Sequence, residues 1–267
     1  MRPNVLVLGG YGINCEEETK FAFEQAGGIA EIVHINDLIA KKRYMGNYQI
    51  LAFPGGFSYG DDTGSGNAFA NRLRNHLWTD LSIFVQQDNL VIGICNGFQI
   101  LSNLGLLPAL SDKYGDRQVA LEHNDSARYS DRWVDVAFSQ KSPWTRDLGT
   151  ISLPIAHGEG KFYCEPAVLE SLRKNGQIAC RYTAGEICGY QNLPANPNGA
   201  LDDIAGITNE NGRVLGLMPH PERAIAFTHH PMWPLKKEQL KREGKPLPVH
   251  GPSLKLFQNA VDYFKNR

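Results

Sequence analysis

The chain reads as an α/β fold. It is expected to be a mostly parallel open sheet with helices on both faces, extended by additional antiparallel strands in the second half. Three observations predict it. Short, continuously apolar runs alternate with helical stretches through the first hundred residues. Those runs lack in-and-out alternation, which suits strands buried on both faces of a parallel sheet. From Ala120 on, strand-like runs crowd closer together and include a hairpin signal.

In order, residues 4–10 (NVLVLGG) are an apolar run ending in glycines, the first strand. Residues 16–27 are helical, with Phe21, Phe23 and Ala26 apolar. Asn14 is the expected N-cap, with Glu17 three residues later as in a capping box. Residues 30–37 and 48–56 are the second and third strands. A long helix is expected from about Gly66 to Gln87. Residues 90–94 (LVIGI) form a fourth strand, and residues 98–105 a helix closed by Gly105 and Pro108. In the second half, residues 120–126, 132–138 and 150–157 are strand-like, and residues 168–176 form a short helix ending at Gly176. Asn211-Gly212 between two apolar runs predicts a hairpin. Residues 253–267 read as an amphipathic closing helix, with Leu254, Leu256, Phe257, Ala260, Val261 and Phe264 on or near one face. Residues 229–252 are rich in Pro and Lys without a sustained pattern, and read as an ordered excursion or a flexible loop. No repeat breaks the chain, and residues 1–267 read as one domain.

Composition narrows the function classes. A formal net charge of −1 provides no field for nucleic acid or an anionic membrane. The five cysteines are odd in number and dispersed, which argues against a disulfide framework. No Cys-x-x-Cys pair or Cys/His cluster has zinc spacing, so no metal is expected. A reducing, cytoplasmic setting fits. The opening apolar stretch meets glycine too soon for a signal peptide, and no run approaches the ~20 apolar residues of a membrane span.

Cys95 lies at a junction between strand and helix. Gly93-Ile94-Cys95-Asn96-Gly97 is the pattern of a nucleophile elbow with sulfur in place of oxygen. The following helix points its free N–H groups and positive end at the thiol, a setting that favours the reactive thiolate. Cys15, Cys164, Cys180 and Cys188 lack that setting and read as inert. Farther on, His220 and Glu222 flank Pro221. In an extended segment they project to one side, and an imidazole beside a carboxylate is an oriented base. Gly55-Gly56 ends the third strand, where a bare backbone can approach a ligand. The N–H groups of Gly56 and Asn96 would form an oxyanion hole. Taken singly, each has a plainer reading: a core cysteine, a structural histidine, a tight turn. Together, at strand carboxyl ends, they supply the parts of a Cys-His-Glu acyl-transfer site.

Pro54-Gly55-Gly56, the segment from Gly93 to Gln99 and Pro219-His220-Pro221-Glu222 resemble, in order and spacing, the three motifs of triad-type glutamine amidotransferases, whose fold is flavodoxin-like. The segments from Asn14 to Thr19, Gly55 to Asp61, Cys95 to Leu101, Ala156 to Gly160 and His220 to Arg223 narrow the resemblance to the glutaminase component of phosphoribosylformylglycinamidine synthase. The resemblance spans nearly the whole chain. It implies that Cys95 attacks the side-chain amide of glutamine and forms a γ-glutamyl thioester. His220 moves the protons, Glu222 orients His220, and the backbone of Gly56 and Asn96 holds the oxyanion. It places Gln99 on the substrate side and makes His157 a candidate for the pocket or the subunit interface. Ammonia would pass to a separate synthetase subunit, where ATP, with Mg, activates formylglycinamide ribonucleotide. A third small subunit stays open. No P-loop is present, so no cofactor is expected in this chain.

The chain departs from the common small form at Asp62 to Gly66 and at 229–252, where subunit contacts are expected. It starts at its first strand, as a separate polypeptide would, with excision from a longer synthase the other reading. Two other functions remain open: a cysteine hydrolase or peptidase of similar fold, and a non-catalytic amidotransferase-like binding module.

Overall fold

The computed structural model describes residues 1–265. Asn266 and Arg267, the end of the expected closing helix, lie outside the described residues. The first half alternates as the apolar runs dictate: β1 (Asn4–Gly9), α1 (Glu16–Gln25), β2 (Ile29–His34), α2 (Ile35–Ile39), β3 (Ile50–Phe53), α3 (Asn67–Gln86), β4 (Leu90–Ile94) and α4 (Asn96–Leu104). Then follow β5 (Val119–His123), β6 (Ser130–Phe138), β7 (Thr150–His157), β8 (Glu159–Cys164), α5 (Pro166–Asn175), β9 (Ile178–Thr183) and α6 (Glu186–Gln191). β10 (Ile204–Thr208), β11 (Val214–Leu217), α7 (Trp233–Arg242) and α8 (Leu254–Lys265) complete the chain.

A nine-stranded sheet runs β2-β1-β3-β4-β11-β10-β9-β6-β7. From β2 to β11 neighbouring strands are parallel, in a register that pairs Ala52 with Ile92 and Gly93 with Gly216. From β11 to β7 every pairing is antiparallel. β5 and β8 form a separate antiparallel pair. The parallel strands β3, β4 and β11 are buried along their whole length, as continuous apolar runs require.

The closing helix packs back on the first one. Phe257 of α8 meets Phe23 of α1 edge to face at 5.0 Å, and buried Trp144 lies beside them. Each such fully buried aromatic side chain is worth about 1.5–3 kcal/mol. On the other side of β4, α4 seats very close to the sheet. A Cβ at Gly97 would lie 1.9 Å from the Phe53 carbonyl oxygen, and one at Gly216 2.2 Å from the Phe98 ring.

Two expectations need correction. Asn14 does not cap α1. Cys15 holds the N-cap position without a side-chain cap bond, because the N–H groups of Asn14 and Cys15 are both turned onto the Gly55 carbonyl. Glu16, Glu17 and Glu18 instead complement the helix dipole from the first turn. The second strand stops at His34, whose Nδ1 accepts from the Asn36 N–H and starts α2. Of the two readings of residues 229–252, the ordered excursion holds rather than the flexible loop. They contain α7, begun by a proline in its first turn, and the segment is pinned at its base by Phe227 N–H to Val249 O and Gly251 N–H to Ile225 O. Met232 packs on Ile187 and Cys188, and Lys236 pairs with Glu186 of α6. In the segment from Asp62 to Gly66, Asp62, Thr63 and Gly64 are exposed, while Ser65 and Gly66, just before α3, are buried.

Gly97→Ala tests the close seating of α4. The obstructing atom is backbone and has no flexible side chain to move. The substitution is expected to cost about 3 kcal/mol. That corresponds to a fall of roughly 6–12 °C in the unfolding midpoint measured by calorimetry.

Candidate active site

Cys95 sits where β4 turns into α4, with φ 51° and ψ −109°. A non-glycine residue there carries strain of about 1–3 kcal/mol, and its surroundings must hold it. They do: the Cys95 N–H donates to Leu217 O at 2.8 Å, and its carbonyl accepts from the N–H groups of Phe98 and Gln99. The flanking glycines are required by space, since a Cβ at Gly93 would lie 2.6 Å from Gly97 O. The thiol is buried, with Ala156 O of β7 at 3.7 Å.

His220 and Glu222 pair as expected, but not in an extended segment. Pro221 to Arg223 form a single 3-10 turn, with Pro221 at its start. The turn brings Glu222 Oε1 to 2.6 Å from His220 Nδ1. The His220 N–H donates to Pro154 O at 2.8 Å, which fixes the turn to β7. Both side chains are about as buried as side chains get, at 1% and 2% exposure. Burial alone would lower the imidazole pKa. The Glu222 carboxylate, then the Cys95 thiol, outweigh it and hold the pKa well above the ordinary value. The thiols of Cys95 and Cys15 both act on this ring, and its Nε2 makes no full hydrogen bond within the described residues.

Gly55 is the meeting point. A Cβ there would lie 2.8 Å from His220 Cε1, 3.2 Å from Cys15 Sγ and 3.4 Å from Cys95 Cβ. Gly56 follows with φ +152°, and a Cβ on it would strike Gly12 O at 2.5 Å. Among the described residues, neither the Gly56 N–H nor the Asn96 N–H is spent on another protein acceptor.

Asn96, Gln99 and the segment after β3 form one polar network. Asn96 accepts from the Ser58 N–H, and its Nδ2 donates to Asp61 at 3.1 Å and to Gln99 Oε1 at 2.9 Å. Gln99 Nε2 donates to Glu159 O at 2.6 Å. Both ends of the Gln99 amide are thus engaged by protein. The residue lines a small polar cleft of about 90 Å³ with Ser65, Asn103, Arg117 and Glu159. Burial raises the Asp61 carboxyl pKa despite hydrogen bonds from Ser65, Gly66 and Asn96. His157, at the end of β7, is buried with Nδ1 3.0 Å from Asn124 Oδ1 and Nε2 unpartnered. Its ring occupies the space a Cβ at Gly160 would need, at 2.5 Å. Burial, then the neighbouring His220, push its pKa down to about 3.

Two residues were passed over by the sequence reading. Cys15 lies beside His220, and Arg223 Nη2 donates to its sulfur at 2.8 Å. The sequence carried a signal for both, since Cys15 falls in the Asn14 to Thr19 segment and Arg223 in the His220 to Arg223 segment of the resemblance, but neither segment says what these side chains touch. Burial raises the pKa of the Cys188 thiol, pushes that of Cys164 up to about 11 and raises Cys180 further still, which suits inert thiols. All five cysteines are free. Cys15, His220 and Glu222 offer ligand atoms within 4.8 Å of one another, the one group of metal-ligand spacing among the described residues. Its donors are already used: Glu222 holds His220, and a guanidinium holds Cys15. The arrangement suits proton transfer better than metal binding.

His157 has a testable consequence. Below pH 6.5 the unfolded chain protonates this imidazole, while the folded chain resists protonation until about pH 3. Stability is therefore lost as pH falls through that window, by at most about 1.4 kcal/mol per pH unit. Urea unfolding against pH is expected to show the loss, and His157→Gln to flatten it. In NMR titration the His157 ring should stay neutral across the neutral range.

Residues 2–264 match the family of CobB/CobQ-like glutamine amidotransferase domains. The phosphoribosylformylglycinamidine synthase subunit PurQ of Methanococcus maripaludis strain C7 is 50% identical over 265 residues, covering 98% of this chain and 97% of that one. The subunit of the same name from Dehalococcoides mccartyi is 42% identical, covering 98% of each. Among solved structures, that of PurLQS from Thermotoga maritima superposes with TM-score 0.71 at 28% identity, over 98% of this chain and 99% of the other. A glutamine amidotransferase from Thermotoga maritima, 13% identical with TM-score 0.53 over 98% of this chain and 97% of that one, shares the fold. The chain belongs to the glutamine amidotransferase family and, within it, groups with the phosphoribosylformylglycinamidine synthase subunits of PurQ type.

Proposed function

We propose that this chain hydrolyses glutamine to glutamate and ammonia through a Cys95 thioester. It supplies the ammonia to a synthetase subunit, which makes phosphoribosylformylglycinamidine from formylglycinamide ribonucleotide and ATP. The observation that carries the reading is one imidazole, bonded to a buried carboxylate, that converges with Cys95 of a strained elbow on the bare Gly55, beside free backbone N–H groups. In this scheme Cys95 Sγ bonds to the amide carbon while His220 takes the thiol proton. The carbonyl oxygen becomes an anion held by the N–H groups of Gly56 and Asn96. His220 then gives its proton to the departing nitrogen, ammonia leaves, and a thioester remains. Water, deprotonated by His220, cleaves the thioester and frees glutamate. Glu222 keeps the ring oriented and stabilises its charged form throughout.

Gln99 acts in this reading by holding the β7–β8 turn through Glu159 O, beside the cleft for the amino-acid end of glutamine. His157, neutral and buried, supports the same turn from behind Gly160. ATP and Mg belong to the synthetase partner, and a third small subunit is compatible with a complex like the PurLQS neighbour. The setting is cytoplasmic, and no helix among the described residues is long and apolar enough to cross a membrane. Residues 1–267 serve as one amidotransferase domain.

A glutamine-like diazo-ketone is expected to label Cys95 stoichiometrically and no other cysteine, as read by peptide mass spectrometry; a label elsewhere refutes the nucleophile. His220→Ala should lower glutamine turnover by about 10²–10⁴-fold, and Glu222→Gln by less. Near-normal hydrolysis by His220→Ala, with the partner present, would remove the triad.

Coupling to the partner is tested by rate. The lone chain is expected to hydrolyse glutamine slowly, and faster with synthetase, ATP and formylglycinamide ribonucleotide. A rate unchanged by all three argues against regulated coupling.

A further inference from the structure

Cys15 is the second thiol at His220 and has no place in the scheme above. It is poorly suited to be a nucleophile. Its side chain is 0% exposed. Its N–H is spent on Gly55 O and its carbonyl on Thr19. Its sulfur is engaged twice, donating to Asn14 Oδ1 at 3.3 Å and accepting from Arg223 Nη2 at 2.8 Å. Arg223 also faces the catalytic carboxylate, with Nε 3.9 Å from Glu222 Oε1. That oxygen is the one that holds His220 Nδ1 at 2.6 Å. A continuous path therefore runs from Asn14 through Cys15, Arg223 and Glu222 to the imidazole.

We infer that Cys15 and Arg223 are positioning residues for the acid–base group: the buried sulfur fixes the guanidinium beside Glu222, and the guanidinium moderates the pull of Glu222 on the His220 proton. This inference rests on the function proposed above and deepens it. The physical need is plain. A buried carboxylate 2.6 Å from an imidazole favours imidazolium strongly, and a base that never releases its proton cannot cycle. A positive charge on the far side of the carboxylate opposes that pull. Arg223 is about one-third exposed at its side chain, so it needs an anchor to stay in place. Cys15 provides one that is neither exposed nor mobile, on a residue tied to Gly55.

The groups that face the pair are few. Around His220 stand Glu222 and Arg223 from its own turn, Cys95 from the elbow, Cys15 from the start of α1, His157 from β7 and Tyr129 from the segment before β6. Around Arg223 stand Cys15, Glu222 and Glu18 of α1. Arg223 is the one cation in that set with a contact to the triad carboxylate.

The test is steady-state glutamine hydrolysis against pH, with the synthetase partner present. Arg223→Gln removes the opposing charge, so His220 holds its proton to higher pH. The acid limb of kcat/KM is expected to move up by about one unit. At a pH well below the limb, kcat falls roughly tenfold while KM is unchanged. Cys15→Ala should move the limb in the same direction by less, and Cys15→Ser, which keeps an acceptor for Arg223, should restore it. The double variant Cys15→Ala/Arg223→Gln should be no worse than Arg223→Gln alone. Unmoved limbs, or independent effects that multiply, overturn the inference, as does a glutamine-analogue label on Cys15. If Cys15→Ala does not fold, Arg223→Gln and Arg223→Lys carry the test. If the wild-type complex does not hydrolyse glutamine, the proposed function fails. The rate of Cys95 alkylation by iodoacetamide against pH then decides the brace alone, by the same shift between wild type and Arg223→Gln.

Discussion

Gly55 has no side chain, and the volume a methyl group would fill is shared by the His220 ring, the Cys15 sulfur and the Cys95 β-carbon, all within 3.4 Å of that position. Three separate segments of chain are thereby allowed to converge. The same residue binds them together, because its carbonyl accepts from the N–H groups of both Asn14 and Cys15. The next residue, Gly56, needs a left-handed φ that a side chain would strain, with Gly12 O in the way besides. The end of β3 thus fixes how near the His220 ring, Cys95 and the Gly56 backbone can approach one another. Burial follows from that closeness. With His220 and Glu222 both buried, their mutual attraction has to offset the desolvation of each, so neither can be removed without leaving the other uncompensated.

Two buried imidazoles in this neighbourhood respond oppositely to pH. His220 is held well above its ordinary pKa by Glu222 and Cys95, against its own burial. The stabilisation it gives is present below pH 6.5 and is lost as pH rises through its folded value. His157 has no anionic partner and is held low by burial. It resists acid rather than base, and it stays neutral while carrying the turn that Gln99 also grips. A chain that must keep one histidine chargeable beside one that is not achieves this with a single carboxylate.

Much of this was legible because it is local. The elbow was readable from Gly93 to Gly97, since a strand, a tight bend and a helix leave a mark within a few residues. The hairpin glycine and the apolar runs of β1, β3 and β4 were readable for the same reason. The His220–Glu222 pair was found, although the reason offered for it fails: a proline at the start of a 3-10 turn, rather than strand alternation, aligns them. Asn14 was misread as a cap because its N–H points to Gly55, just past the end of β3, and capping statistics carry no trace of that. α7 went unseen because its apolar side is small, with no buried residue on it, and its helix-starting proline looked like a breaker. Arg223 and Cys15 lie 208 positions apart, so their contact had no pattern to announce it.

The antiparallel half of the sheet is more than an extension. Among the described residues β7 is its last strand and pairs with β6 alone, which leaves one edge of carbonyls and N–H groups without a strand partner. Exposed edges of that kind invite association with other chains. Here the edge is turned onto the site: Pro154 O takes the His220 N–H, and Ala156 O lies against the Cys95 thiol. Residues two apart on a strand present their carbonyls to the same side, so one strand reaches His220 and Cys95 together. The β7–β8 turn that follows carries Glu159, whose backbone carbonyl holds Gln99 and whose carboxylate accepts from the Ser65 N–H at the start of α3. The parallel strands set Cys95 and the backbone of Gly56 and Asn96, and the antiparallel edge reaches them through Pro154 and Ala156. Because backbone groups that would make β7 adhesive are spent on the His220 N–H and the Cys95 thiol, a loosened edge would disturb the placement of those two residues before it cost the protein its fold.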